Sequence, residues 1–135
     1  MADRILLGSP LPTPLIERLR QHYSLVNSRE LTSSAHATRA EEFSVLLVDG
    51  ETTVSADQIA ALPRLKLIAV FGVGYERVDV LAARDSGVRV THTPDVLTDD
   101  VADLAIGLMI ATARQLGGAQ RFIERGDWSR GGVRS

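Results

Sequence analysis

Two glycines one residue apart, Gly72 and Gly74, follow the apolar run Leu65–Phe71. A glycine pair at the end of a strand suits two kinds of anion chemistry. A dinucleotide loop needs three glycines as G-x-G-x-x-G, the third so that the helix packs close and its N-terminus faces the pyrophosphate. Here the third position is Arg77, and the next helix is capped two residues later by Asp79, an acid that opposes a phosphate. The spacing therefore argues against a dinucleotide loop. Two readings remain open. Consecutive N–H groups turned into a cleft form a nest for a small anion such as a carboxylate, or the glycines make a tight turn with no ligand.

The other residues capable of chemistry are few. His22 lies late in the first helical stretch beside Tyr23 and reads as a surface residue, and His36 in a polar stretch reads as solvated. His92 ends an apolar strand and reads as a turn residue, because a general base needs a positioned partner. No pair or triad has metal-ligand spacing. The absence of cysteine excludes disulfides and thiolate metal sites. No catalytic residue and no metal site is expected in this chain.

The elements that must position the glycines can be read from periodicity. Short apolar runs at Arg4–Gly8, Ser24–Asn27, Ser44–Gly50, Leu65–Phe71 and Val88–His92 predict five strands. Between them, Pro14 suits the first turn of a helix carrying Leu15, Ile16 and Leu19. Ser55 and Gln58 form a capping box, and Asp79 caps a helix that Gly87 ends. Continuous apolar strands alternating with helices predict an α/β fold, a flavodoxin-like, five-stranded, parallel, doubly wound sheet. Its ligand edge would carry Gly8-Ser9-Pro10, Asp49-Gly50-Glu51, Gly72-Val73-Gly74 and His92-Thr93-Pro94.

Beyond this the pattern changes. Thr98 is placed to cap a helix whose first turn is acidic, and "VADLAIGLMIATARQL" leaves no clean polar face. A helix apolar nearly all round must be buried on several sides. Gly117-Gly118 reads as an interruption or hinge, "AQRFIERGDW" as a further helix stopped by Gly126, and 129–135 as a flexible tail. The expected divisions are 1–98, 99–128 and 129–135. With net charge −2 and no basic block, nucleic acid and anionic membranes are poor partners. The start "MADRILLGSP" lacks a long apolar stretch, so a cytoplasmic location is expected.

The stretch "FGVGYERVDVLAARDSGVRVTHTPDVLTDDVADLAIGLMIATARQL" resembles the N-terminal half of a D-isomer-specific 2-hydroxyacid dehydrogenase, nearest the glyoxylate and hydroxypyruvate reductase branch. The shared features are the G-x-G-x-[acid]-x-[apolar]-D loop, the "GV" strand, the "TP" turn and the acidic start of a long helix. The resemblance implies that the N–H groups of Val73 and Gly74, flanked by Gly72 and Tyr75, hold a substrate carboxylate. It implies that Asp49 and Gly50 line the substrate pocket, and that Thr98 and Val101 reach the nicotinamide of NAD or NADP. Val101 stands where threonine is usual, Glu76 where aspartate is usual, and His92 where asparagine is usual.

The resemblance also implies a parent enzyme whose cofactor fingerprint, substrate arginine and catalytic histidine lie downstream. The expectation is therefore a chain truncated before that fingerprint, with the long apolar helix belonging to an incomplete cofactor domain. Such a chain would bind a small 2-keto or 2-hydroxy acid weakly, bind no cofactor alone and be inactive alone. Two other readings compete. One is a non-catalytic carboxylate-binding module; its phospho-receiver and FMN variants fit poorly, because Gly8-Ser9-Pro10 supplies neither acids nor a phosphate loop. The other is association, a homodimer through Asp99–Arg125, because each large apolar side chain left in water forgoes about 1.5–3 kcal/mol.

Overall fold

The computed structural model describes residues 4–30 and 39–132. His36 lies outside them. Five strands form one sheet: β1 (Arg4–Leu7), β2 (Ser24–Asn27), β3 (Phe43–Asp49), β4 (Leu67–Phe71) and β5 (Arg89–Thr91). The order is β2-β1-β3-β4-β5 and every pairing is parallel. This is the flavodoxin-like order expected from the alternating pattern.

Side chains alternate across the strands, so the sheet buries two faces. On one face Leu6, Leu46, Val48, Ile68 and Val70 pack with Ile59 of helix α2 (Ala56–Ala60) and Ala83 of helix α3 (Val80–Asp85). Phe43 and Ile68 are fully buried there. On the other face Ile5, Leu7 and Leu47 meet Ile16 and Leu19 of helix α1 (Thr13–Arg20).

Local chemistry sets the helix ends. Pro14 sits in the first turn of α1, where its missing N–H costs nothing. His22 lies just past the end of α1, exposed, with its ring edge-on to Tyr23. The Ser55–Gln58 capping box is present in both directions. Asp79 accepts from the Ala82 N–H at 2.9 Å and caps α3. The end of α3 is a Schellman turn. Gly87 N–H reaches the Arg84 carbonyl at 3.0 Å and Val88 N–H the Ala83 carbonyl at 2.8 Å, with Gly87 at φ 71°.

The chain divides into two compact units, one ending at Asp95 and the other starting at Val96. The second holds helices α4 (Thr98–Ala113) and α5 (Leu116–Glu124). Two expectations are corrected here. Thr98 does not cap α4. Leu97 holds the cap position, its carbonyl accepting from Val101 N–H at 2.9 Å, so Thr98 is already helical. The break after α4 is not at Gly117-Gly118, which lie inside α5; it is at Gln115, in the left-handed region at φ 51°.

No residue of α4 is buried; Val101, Leu104, Ile106, Leu108, Met109 and Ile110 are each at least 55% exposed. Among the described residues no helix is long and apolar enough to cross a membrane. After α5, Asp127 gathers Arg125 and Arg130, and hydrogen-bonded turns run as far as Gly132.

Candidate functional site

The carboxyl ends of β1, β3, β4 and β5 are tied into one edge. Ser9 Oγ accepts from Asp49 N–H at 2.8 Å. Asp49 Oδ1 accepts from Glu51 N–H at 3.0 Å and from the Thr52 hydroxyl at 2.7 Å. These bonds favour the ionised carboxyl, the Thr52 hydroxyl most and the Glu51 amide after it, and hold the Asp49 pKa below its ordinary value against the effect of burial. Asp49 thus organises the turn after β3, with its Oδ1 already engaged. Further on, Val54 exchanges backbone bonds with Arg77 and Asp79, and Glu51 pairs with Arg77 at 3.5 Å.

The glycines of this edge are needed for space. Neither Gly72 nor Gly74 is in the left-handed region; the glycines that are there are Gly87, Gly126 and Gly131. The turn therefore does not depend on left-handed glycine. A Cβ on Gly72 would sit 3.3 Å from both the Cα and the N of Gly50. One on Gly50 would sit 3.2 Å from the Gly74 carbonyl oxygen. The turns after β3 and β4 pack backbone against backbone, and a Cβ between them would be tighter than ordinary contact.

The turn after β5 fastens the glycine loop from another side. Thr93 N–H donates to the Gly72 carbonyl at 2.9 Å. His92 Nδ1 lies 2.8 Å from the Val73 carbonyl. The His92 ring also meets Tyr75 edge-on, with centroids 4.7 Å apart. A carbonyl and the following N–H share one planar trans peptide and point in opposite directions. Holding the oxygens of Gly72 and Val73 towards β5 therefore turns the N–H groups of Val73 and Gly74 away from it. Neither N–H donates to another described residue. Two adjacent, unpaired amide donors at the carboxyl edge of a parallel sheet can hold a small anion.

Sequence reasoning places Asp49, Gly50, Gly72, Val73, Gly74 and Tyr75 at this edge, and they meet there. Thr98 and Val101 lie in the first turn of α4, in the second unit, both exposed. The contributions of Ser9, Thr52 and His92 are not legible from residue type. Their signal is position, one at the exit of β1, one three residues past Asp49 and one at the exit of β5. Among the described residues no three His, Asp or Glu side chains are grouped to hold a metal.

The family model for D-isomer specific 2-hydroxyacid dehydrogenase, catalytic domain, matches residues 5–128. The chain belongs to this family. It is 38% identical over 131 residues to a hydroxyphenylpyruvate reductase of Plectranthus scutellarioides, covering 94% of this chain and 41% of that one. A glyoxylate reductase of Thermococcus onnurineus is 33% identical, covering 98% and 41%. Among solved structures, a 2-hydroxyacid dehydrogenase from Ketogulonicigenium vulgare matches with TM-score 0.91 and 35% identity, over 99% of this chain and 43% of that one.

An NADPH-dependent glyoxylate/hydroxypyruvate reductase from Sinorhizobium meliloti, in complex with NADP and malonate, matches with TM-score 0.80 and 34% identity, over 100% and 42%. The chain thus spans about two-fifths of the length of the relatives it matches. A dinucleotide does not fit the glycine loop of this chain. Arg77 stands at the third glycine position, and the Asp79 carboxylate already caps α3, where a pyrophosphate would lie.

Proposed function

We propose that this chain is the substrate-binding part of an NAD(P)-dependent oxidoreductase that interconverts 2-keto acids of the glyoxylate and hydroxypyruvate kind with D-2-hydroxy acids. The carrying observation is the pair of N–H groups of Val73 and Gly74 at the sheet's ligand edge, which donate to no other described residue. In this reading they hold the substrate carboxylate, flanked by Gly72 and Tyr75, with Asp49 and Gly50 shaping the adjoining wall. The charge they meet is an anion, and the donors are preorganised, so the loop does not reorder on binding. The malonate in the Sinorhizobium relative is a small dicarboxylate of the class this loop suits.

Thr98 and Val101, at the start of α4, are assigned to the nicotinamide side of the interdomain cleft in the parent enzyme, which uses NAD or NADP. The long apolar helix is assigned to the cofactor domain. The exposed residues of α4 support association through Asp99–Arg125 as a homodimer. The isolated chain is expected to bind carboxylate weakly, bind no cofactor and show no turnover.

The test is a titration of the 135-residue chain with malonate, followed by amide ¹⁵N shifts. Saturable shifts at Val73 and Gly74 support the reading; shifts elsewhere only, or none, refute it. Sedimentation across a range of concentrations tests the dimer, which a concentration-independent monomer would exclude.

A further inference from the structure

We infer that His92 is the positioning residue that aims the anion-binding N–H of Gly74, a role that rests on the carboxylate reading above and extends it. Val73 C=O and Gly74 N–H belong to the same rigid plane, so fixing the oxygen fixes the direction of the N–H. The oxygen is fixed by His92 Nδ1 at 2.8 Å. No other bond to the Val73 carbonyl occurs among the described residues. The preceding peptide is fixed differently, by the Thr93 backbone N–H on the Gly72 carbonyl. The Val73 donor is therefore set by main chain and tolerates any side chain at 93 with a backbone N–H, whereas the Gly74 donor depends on one imidazole.

Two further consequences follow. A carbonyl accepts only from a protonated nitrogen, so neutral His92 must carry its proton on Nδ1 and leave Nε2 bare. Hydrogen bonding at the oxygen also polarises the peptide and strengthens the N–H at its other end. The Tyr75 ring, edge-on at 4.7 Å, braces the imidazole in the orientation that keeps Nδ1 on the carbonyl. Val73 and Tyr75 thus both meet the ring of His92, which follows Val73 by 19 positions.

The test uses the full 135-residue chain and three variants. Asparagine places its amide nitrogen where histidine has Nδ1, glutamine places its own one bond further out, and alanine has no donor. Imidazole ¹⁵N shifts are read on the neutral ring, in mildly alkaline solution. They should show the Nδ1–H tautomer. In the free chain the Gly74 amide proton should move upfield in His92→Ala and return in His92→Asn. In malonate titrations His92→Ala should weaken binding by about tenfold, the upper range of one lost hydrogen bond. His92→Asn should stay within about twofold of wild type, and His92→Gln should behave like the alanine variant.

An Nε2–H tautomer, or an asparagine variant no better than alanine, overturns the inference, even where alanine also loosens the fold. If wild type itself gives no malonate shift, the carboxylate reading fails. The tautomer and the Gly74 proton shift then decide the clamp by themselves.

Discussion

Replacing Gly72 by alanine tests whether the site is built by close backbone approach. The added Cβ would meet the Cα and the N of Gly50 at 3.3 Å, tighter than ordinary van der Waals contact. Relief requires the Gly50 turn to retreat by a few tenths of an ångström. That turn is held on one side by Ser9 on Asp49 N–H and on the other by Asp49 on Glu51 and Thr52, so it has little room to retreat. Overpacking of this kind costs about 1–3 kcal/mol. Alanine also narrows the unfolded ensemble, which returns about 0.4–1 kcal/mol. The net loss is then on the order of 1 kcal/mol. With a urea slope of about 2 kcal/mol per molar, the midpoint of the first unit should fall by roughly 0.5 M. Trp128 lies in the second unit, so amide signals from β3 and β4 are the suitable probe. Gly107 is the control. It sits inside exposed α4, and a Cβ there meets nothing within 4 Å. Gly107→Ala should stabilise α4 by up to about 1 kcal/mol. A Gly72→Ala variant as stable as wild type would refute the close-approach account.

Three other perturbations have defined signs. The folded pKa of Asp49 is depressed below 3.8, so its contribution to stability is complete above that value. It should fade as pH drops through the lower folded value; protection of the Glu51 and Thr52 amides relative to their intrinsic exchange rates should fall on that acid limb, and in Asp49→Ala it should be low at all pH. Gly87→Ala forces a left-handed φ on alanine and should cost about 1 kcal/mol in a urea melt; no change would mean that the Schellman turn has another conformation in solution. Glu76 folds its Oε2 to within 2.6 Å of where a Cβ on Gly74 would lie, placing an anion beside the proposed carboxylate site. A unit charge about 4 Å away in water is worth about 1 kcal/mol, so Glu76→Gln should tighten malonate binding roughly fivefold, and weaker binding would contradict this.

The sheet was legible because its central strands carry apolar runs, Val45–Val48 in β3 and Leu67–Phe71 in β4, and the intervening segments have recognisable starts and stops. Ser55 with Gln58, Asp79 and Gly87 act on neighbours within a few residues, so their effect is written locally. Thr98 was misleading for a related reason. A cap is defined by which carbonyl first accepts, and Leu97 accepts without any side-chain signature. Gly117 and Gly118 suggested a break because glycine permits one, yet Gln115 takes the left-handed conformation. Residue type states what a position allows, and the tertiary fold chooses among permitted positions. Gly72 and Gly74 carry the same ambiguity, since glycine chosen for space and glycine chosen for φ read identically.

The proposed anion site is made of backbone atoms, and this decides where its information lies in the chain. The donors at Val73 and Gly74 belong to every residue type, so their side chains carry little of the function. Val73 and Tyr75 are exposed, and a change at Val73 that keeps the backbone leaves its N–H in place. The constraint falls instead on residues that never touch the anion. A Cβ at Gly50 or Gly72 would push the two loops apart by a few tenths of an ångström, and Asp49 holds the turn that receives Gly72. His92 must offer a donor to the Val73 carbonyl. A site of this design tolerates substitution at its centre and resists it at its supports, the reverse of a site built from reactive side chains.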